Sequence, residues 1–159
     1  MSFRVALIVL SDRAASGKRP DTNIALMKER LGGGYEIVHE RVMPDEPAEL
    51  QAELIEIADG RKADLVLTSG GTGLTSRDRT PQATAAILDY EVPGIGEAIR
   101  MVSFATVKTA ILSRALAGVR NRTLIVNLPG NPRAVAESLE IVLPVVPHAL
   151  ELLNDEAVH

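Results

Sequence analysis

Two stretches of this chain are apolar without alternating, Val5 to Leu10 and Leu65 to Thr68, and Thr123 to Leu128 reads as a further strand. A strand with one wet face alternates polar and apolar side chains. Unbroken runs rich in Val, Ile and Leu therefore mark strands covered on both faces. The covering helices are legible between them. Ile24, Met27 and Leu31 recur at helical spacing and stop at Gly32-Gly33-Gly34, and Leu50, Leu54, Ile57 and Ala58 do the same before Asp59-Gly60. Tyr35 to Val42 alternates well enough for a further strand.

In the second half, Thr80-Pro81 reads as a helix start, with the hydroxyl as N-cap and the proline in the first turn of a helix running to Leu88. Gly96 to Phe104 and Ala134 to Leu153 read as helical, the latter with breaks at Pro144 and Pro147, while Ile111 to Ala117 fits either a helix or a strand. Strands alternating with helices predict an α/β fold, a mainly parallel sheet between two layers of helices, in one domain spanning residues 1–159.

Composition narrows the function. The chain is 46% hydrophobic but only 3% aromatic, so its core is built from aliphatic side chains and it offers almost no stacking platform for single-stranded nucleic acid. Seventeen basic against 21 acidic residues give a net charge of −4, without the basic footprint that duplex nucleic acid or an anionic membrane requires. The absence of cysteine removes disulfides, thiolate metal sites and Cys nucleophiles. His39, His148 and His159 stand far apart and form no H-E-x-x-H pattern. The longest apolar run near the start is too short to span a bilayer or to form a secretory leader, so a cytoplasmic protein is expected.

Ligands of open α/β sheets bind outside the carboxyl ends of the strands. Four predicted strands end in turns that carry chemistry: Ser11-Asp12, Pro44-Asp45, the run from Ser69 to Asp78, and Pro129-Gly130-Asn131. Parallel strands put all four on one edge. Ser69-Gly70-Gly71-Thr72-Gly73 suits an anion, because glycines let the backbone aim N–H groups inward and approach closely. It matches neither the Walker A string nor G-x-G-x-x-G, and a turn-rich connection with no ligand is the plain alternative.

Two readings of Asp78 stand. It complements the dipole of the helix that follows, or it positions Mg²⁺ and phosphates, since Mg²⁺ takes one or two carboxylates plus substrate oxygens. Asp45, after another strand, is a second such candidate or an ordinary acidic turn residue between Pro44 and Pro47, and Asp12 carries the same ambiguity. Arg77, Arg133 and Lys18 either offset ligand phosphates or are simply solvated. Asn131 serves a turn and helix cap or a ligand, and Ser113-Arg114 reads, from the residues alone, as the end of a helix or strand.

Thr68-Ser69-Gly70-Gly71-Thr72-Gly73, followed by Arg77-Asp78 and Thr80-Pro81-Gln82-Ala83-Thr84, closely resembles the signature of the MogA/MoaB molybdenum-cofactor family. Ser11 to Gly17, Met43 to Glu46, Ile111 to Arg114 and Asn127 to Pro132 resemble its other blocks, in order, from about Arg4 to Leu153. Each block is weak singly, and together they are specific.

The resemblance implies a three-layer α/β domain, commonly a trimer. It also implies a molybdopterin adenylyltransferase that joins AMP from Mg-ATP to molybdopterin and releases pyrophosphate. In this reading Asp45 and Asp78 are the catalytic acids and hold Mg²⁺. Ser11, Asp12, Ser69, Gly70, Gly71, Thr72, Gly73, Ser113, Pro129, Gly130 and Asn131 contact pterin or nucleotide, and a molybdenum-insertion protein is a further partner. The alternative within the family is a MoaB-type protein that binds the pterin with little or no adenylylation.

Overall fold

A computed structural model describes residues 2–155. Six strands form one sheet: β1 (Phe3–Leu10), β2 (Tyr35–Met43), β3 (Leu65–Ser69), β4 (Tyr90–Glu91), β5 (Ala117–Arg120) and β6 (Thr123–Leu128). Their spatial order is β2-β1-β3-β6-β5-β4. Pairing is parallel from β2 through β6 and antiparallel at β6-β5 and β5-β4. The helices are α1 (Asp12–Ala15), α2 (Asn23–Leu31), α3 (Pro47–Asp59), α4 (Thr80–Ile87), α5 (Pro93–Phe104), α6 (Pro132–Val142) and α7 (Val146–Leu153), with short 3-10 turns at Gly32–Gly34 and Lys108–Leu112.

The unalternating strands have the double burial their composition demands. Val5, Leu7, Val9, Leu65, Leu67, Leu124, Val126 and Leu128 face one layer, against Met27 of α2, Ile99 of α5, Val135 and Leu139 of α6 and Leu150 of α7. Ala6, Ile8, Leu10, Val66 and Ile125 face the other, against Leu50, Leu54 and Ile57 of α3 and Ala83 and Ile87 of α4. This is the expected three-layer α/β architecture. The edge strand β2 alternates in burial along most of its length, as its sequence does.

The differences from expectation are local. Thr80 is the first residue of α4 rather than its cap; Arg79 occupies the cap position without a side-chain bond. Thr80 is instead buried, and its N–H donates to the Gly71 carbonyl at 3.1 Å. Pro147 lies in the first turn of α7, where a missing N–H costs nothing, so the closing helical stretch breaks once, around Pro144. The loop after β1 contains the single turn α1, because Ser11 Oγ accepts the Ala14 N–H.

The ambiguous stretch from Ile111 to Ala117 is the end of a 3-10 turn, an extended segment and the start of β5. Strands β4 and β5 carry no pattern strong enough to predict them. Asn121 and Arg122, both with positive φ, turn the chain from β5 into β6 as a two-residue hairpin requires. No helix among the described residues is long and apolar enough to cross a membrane, and His159 lies outside those residues.

One polar cluster crosses the apolar interior. The Asn127 amide of β6 donates to Thr68 Oγ1 (2.9 Å) and Thr84 Oγ1 (3.1 Å), and Thr84 donates to the Thr80 carbonyl (2.8 Å). Removing one member leaves buried partners unpaired. Asn127→Ala is therefore expected to lower the unfolding free energy in urea titration by about 1–3 kcal/mol, with α4 the first element to lose protection from hydrogen exchange.

Candidate functional site

The four turns meet on one edge. Gly70 N–H donates to the Leu128 carbonyl (3.1 Å) and Ser69 Oγ to the Pro129 carbonyl (2.7 Å), which joins the turn after β3 to the turn after β6. The turns after β1 and β2 are joined reciprocally. Asp12 N–H donates to Asp45 Oδ2 (3.3 Å) and Asp45 N–H to Asp12 Oδ1 (3.0 Å).

Between these pairs the glycine loop crosses with Gly70 and Gly71 both in the left-handed region, at φ 103° and 70°. A side chain at Gly70 would overlap the Leu10 carbonyl, and one at Gly71 would overlap Thr80 Oγ1 and crowd Asp45 Oδ1. The two glycines thus permit both the turn and its close contact with Asp45.

The acids sit in unlike environments. Asp45 and Asp78 are both half-buried. Burial pushes the Asp45 carboxyl above the usual carboxylate range. The charges of Asp12 and Asp78 add to this, while the bond with Asp12's backbone and the charge of Arg77 oppose it. Its Oδ1 is buried without a hydrogen-bond partner.

Asp12 is held low, chiefly by hydrogen bonds from Arg77, whose Nε and Nη2 each reach its carboxylate at 3.0 Å. Arg77 Nη2 also bonds Glu46 at 3.0 Å, so Arg77, though exposed, straps three turns of the rim. Asp78 Oδ2 accepts from Thr75 N–H (3.1 Å) and Thr75 Oγ1 (2.8 Å), which folds the outer part of the loop onto itself.

An open cleft of about 970 Å³ lies over this edge. Ser11, Asp12, Asp45, Ser69, Gly70, Gly71, Asp78, Gly130 and Asn131 all line it. Thr72 is buried, and Gly73 lies close enough to Asp78 that a side chain there would overlap its Oδ2. Pro129 acts through its carbonyl on Ser69. Ser113 opens onto a separate depression of about 260 Å³ beside Gly96 and Arg100. The Asn131 side chain caps α6, accepting from Arg133 and Ala134 N–H.

Two participants carried no sequence signal of their own. Asn23, buried in the first turn of α2, donates from Nδ2 to Ser69 Oγ (3.0 Å) and the Gly130 carbonyl (2.8 Å). Arg114 reaches the far side of the glycine loop. Its place beside Ser113 in one of the motif blocks was the only hint. The remaining candidates are peripheral: Arg133 pairs with Glu137, His39 with Glu53 and His148 with Glu151.

Chemically, this edge offers main-chain amides, small hydroxyls and carboxylates in a cleft open to a long ligand. That combination suits positioning and charge control rather than nucleophilic catalysis.

A family model described as a probable molybdopterin binding domain matches residues 6–148. The molybdopterin adenylyltransferase of Escherichia coli K12 is 44% identical over 142 residues, covering 87% of this chain and 73% of that protein. The molybdopterin adenylyltransferase of Helicobacter pylori J99 is 39% identical over 156 residues, covering 96% and 88%. Among solved structures, the molybdopterin biosynthesis enzyme MoaB from Thermus thermophilus superposes with a TM-score of 0.91 at 49% identity, covering 96% of this chain and 97% of that one. With the family match running through all four rim turns, the chain belongs to the molybdopterin binding domain family, among the MogA/MoaB proteins of molybdenum-cofactor biosynthesis.

Proposed function

We propose that this chain is a molybdopterin adenylyltransferase: it transfers AMP from Mg-ATP to molybdopterin and releases pyrophosphate. The observation that carries this reading is the convergence of Asp45, Asp78 and the Gly70-Gly71 loop on one cleft, in a chain 39–44% identical to proteins named for that activity. A terminal phosphate oxygen of molybdopterin attacks the α-phosphorus of ATP. The bond from that phosphorus to the bridging oxygen breaks, and pyrophosphate leaves with the electron pair. Such a transfer needs aligned reactants and compensated charge. The glycine-loop amides and the hydroxyl-bearing turns hold the phosphates, and the rigid rim holds them in line.

The donor set fits magnesium. Asp45 and Asp78 are oxygen donors, and Asp45 Oδ1 is a buried acceptor with no partner. No group of three or more acidic or histidine side chains among the described residues forms a cage on its own. That suits a cation completed by substrate phosphates, as Mg²⁺ commonly is. When bound, the ion would supply positive charge to the triphosphate, which a chain of net charge −4 does not provide globally. Asp12, with its carboxylate committed to Arg77 and to Asp45 N–H, braces Asp45 rather than binding the ion.

We also propose that the chain works as a homotrimer in the cytoplasm. Met101 and Val102 of α5, with Val107, Ile111 and Leu112 at the following turn, form an exposed apolar face of the kind that is ordinarily covered by another copy. A second functional reading, pterin binding with little or no adenylylation, has in its favour the family description, which names molybdopterin binding alone.

Pyrophosphate release with molybdopterin, ATP and Mg²⁺ separates the two readings. Turnover supports the transferase; tight molybdopterin binding without adenylylated product supports the binding protein. Asp45→Asn and Asp78→Asn are each expected to slow turnover by about 100-fold or more while leaving the melting temperature near wild type. Wild-type rates in both would remove their assigned roles. Chelation by EDTA is expected to abolish turnover and added Mg²⁺ to restore it. Sedimentation is expected to give about three times the 17.0 kDa chain mass, reduced toward one chain by Met101→Glu combined with Ile111→Glu.

A further inference from the structure

The loop that presents Asp78 lies outside the regular elements: residues 72–79 form no strand or helix, and Leu74, Thr75, Ser76 and Arg77 are exposed. The bonds between Thr75 and Asp78 hold its shape, and on its outer side exposed Arg77 ties it to Asp12 and Glu46. Exposed pairs of that kind hold a loop weakly, whereas in-line phosphoryl chemistry needs the Asp78 carboxylate in one position.

Arg114 supplies a second tie, on the less exposed side. Its main-chain N–H donates to the Thr72 carbonyl (2.9 Å), its Nε to the Gly73 carbonyl (2.9 Å), and its Nη2 to the Asp78 carbonyl (2.5 Å). One guanidinium thus closes both ends of the segment from Gly73 to Asp78, as two fixed N–H vectors allow and a single ammonium does not. Arg114 itself is anchored because the extended segment 113–116 runs into β5 and bonds Asn127 of β6 through Leu116. No salt bridge involves Arg114 among the described residues, since its side chain binds carbonyl oxygens.

We infer that Arg114 is a positioning residue for the transfer: it clasps the Gly73 and Asp78 carbonyls so that Asp78 and the glycine-loop amides keep their places around the triphosphate. The inference rests on the adenylyltransferase reading, although the clasp itself can be measured without it. Arg114→Ala removes both side-chain bonds and the charge. Arg114→Lys keeps the charge and loses the paired geometry.

Both variants are expected to lower kcat on the order of 10- to 100-fold, the cost of a small misplacement of catalytic groups, with KM for ATP changing far less. Millimolar guanidinium is expected to restore part of the Arg114→Ala rate, and sodium chloride at equal ionic strength is not. In the unliganded protein, hydrogen exchange of the Thr75 and Asp78 amides is expected to speed up in Arg114→Lys, while the amides of β3 keep wild-type protection. If Arg114→Ala unfolds, Arg114→Lys carries both measurements.

Unchanged loop exchange in Arg114→Lys would overturn the clasp, whatever the enzyme does. Faster loop exchange with wild-type kcat would overturn the positioning role and leave the adenylyltransferase reading intact. Wild-type protein that makes no adenylylated product would remove that reading, and the catalytic part of this inference with it.

Discussion

The parallel ladder from β2 through β1 and β3 to β6 is the constraint on which the rest depends. Parallel neighbours cannot be joined by a hairpin, so the chain crosses a face of the sheet between them, and the four strands of this ladder deliver their carboxyl ends to the same edge. Segments far apart in sequence, around residues 11, 45, 70 and 130, become neighbours through that topology. The strands that carry them are held by apolar packing. Leu7, Ile8, Leu65, Leu67 and Ile125 are fully buried, and packing of that density fixes the strands, which fix the rim.

On that rim the polar contacts divide into bracing and reacting groups. Asp12 and Arg77 neutralise one another, and the reciprocal bonds between Asp12 and Asp45 lock two strand ends together. Asn23 locks the other two by spending both amide protons on Ser69 and Gly130. Asp45 is left with a buried, unpartnered oxygen, and a carboxylate in that state lowers its energy by gaining a cation. The bracing residues therefore make the strain at Asp45 tolerable before any ligand arrives.

Much of this was legible in the residues. Unalternating runs located β1 and β3, and helical spacing located α2 and α3, because burial on one face or two leaves a periodicity that local sequence records. The meeting of the four turns followed from parallel topology alone, and the acidic residues at their tips followed from chemistry. The illegible parts share a cause, which is that their determinants lie elsewhere in the chain. Strand β4 is two exposed residues that are strand only because β5 pairs with them. Thr80 looks like a cap but is drawn inward by the Gly71 carbonyl. Arg114 and Asn23 act on loops about 40 residues away or more, through bonds that no window of sequence contains.

The reading of this edge as the place where a triphosphate is managed is tested most directly by a crystal structure with Mg²⁺ and an ATP analogue that resists cleavage between the α- and β-phosphorus. The expected result is a triphosphate lying in the cleft along Gly70 and Gly71, with a cation coordinated by Asp45. Nucleotide lodged in the charged groove of His39, Arg41 and Lys62, or a triphosphate whose metal has no contact with Asp45 or Asp78, would contradict it.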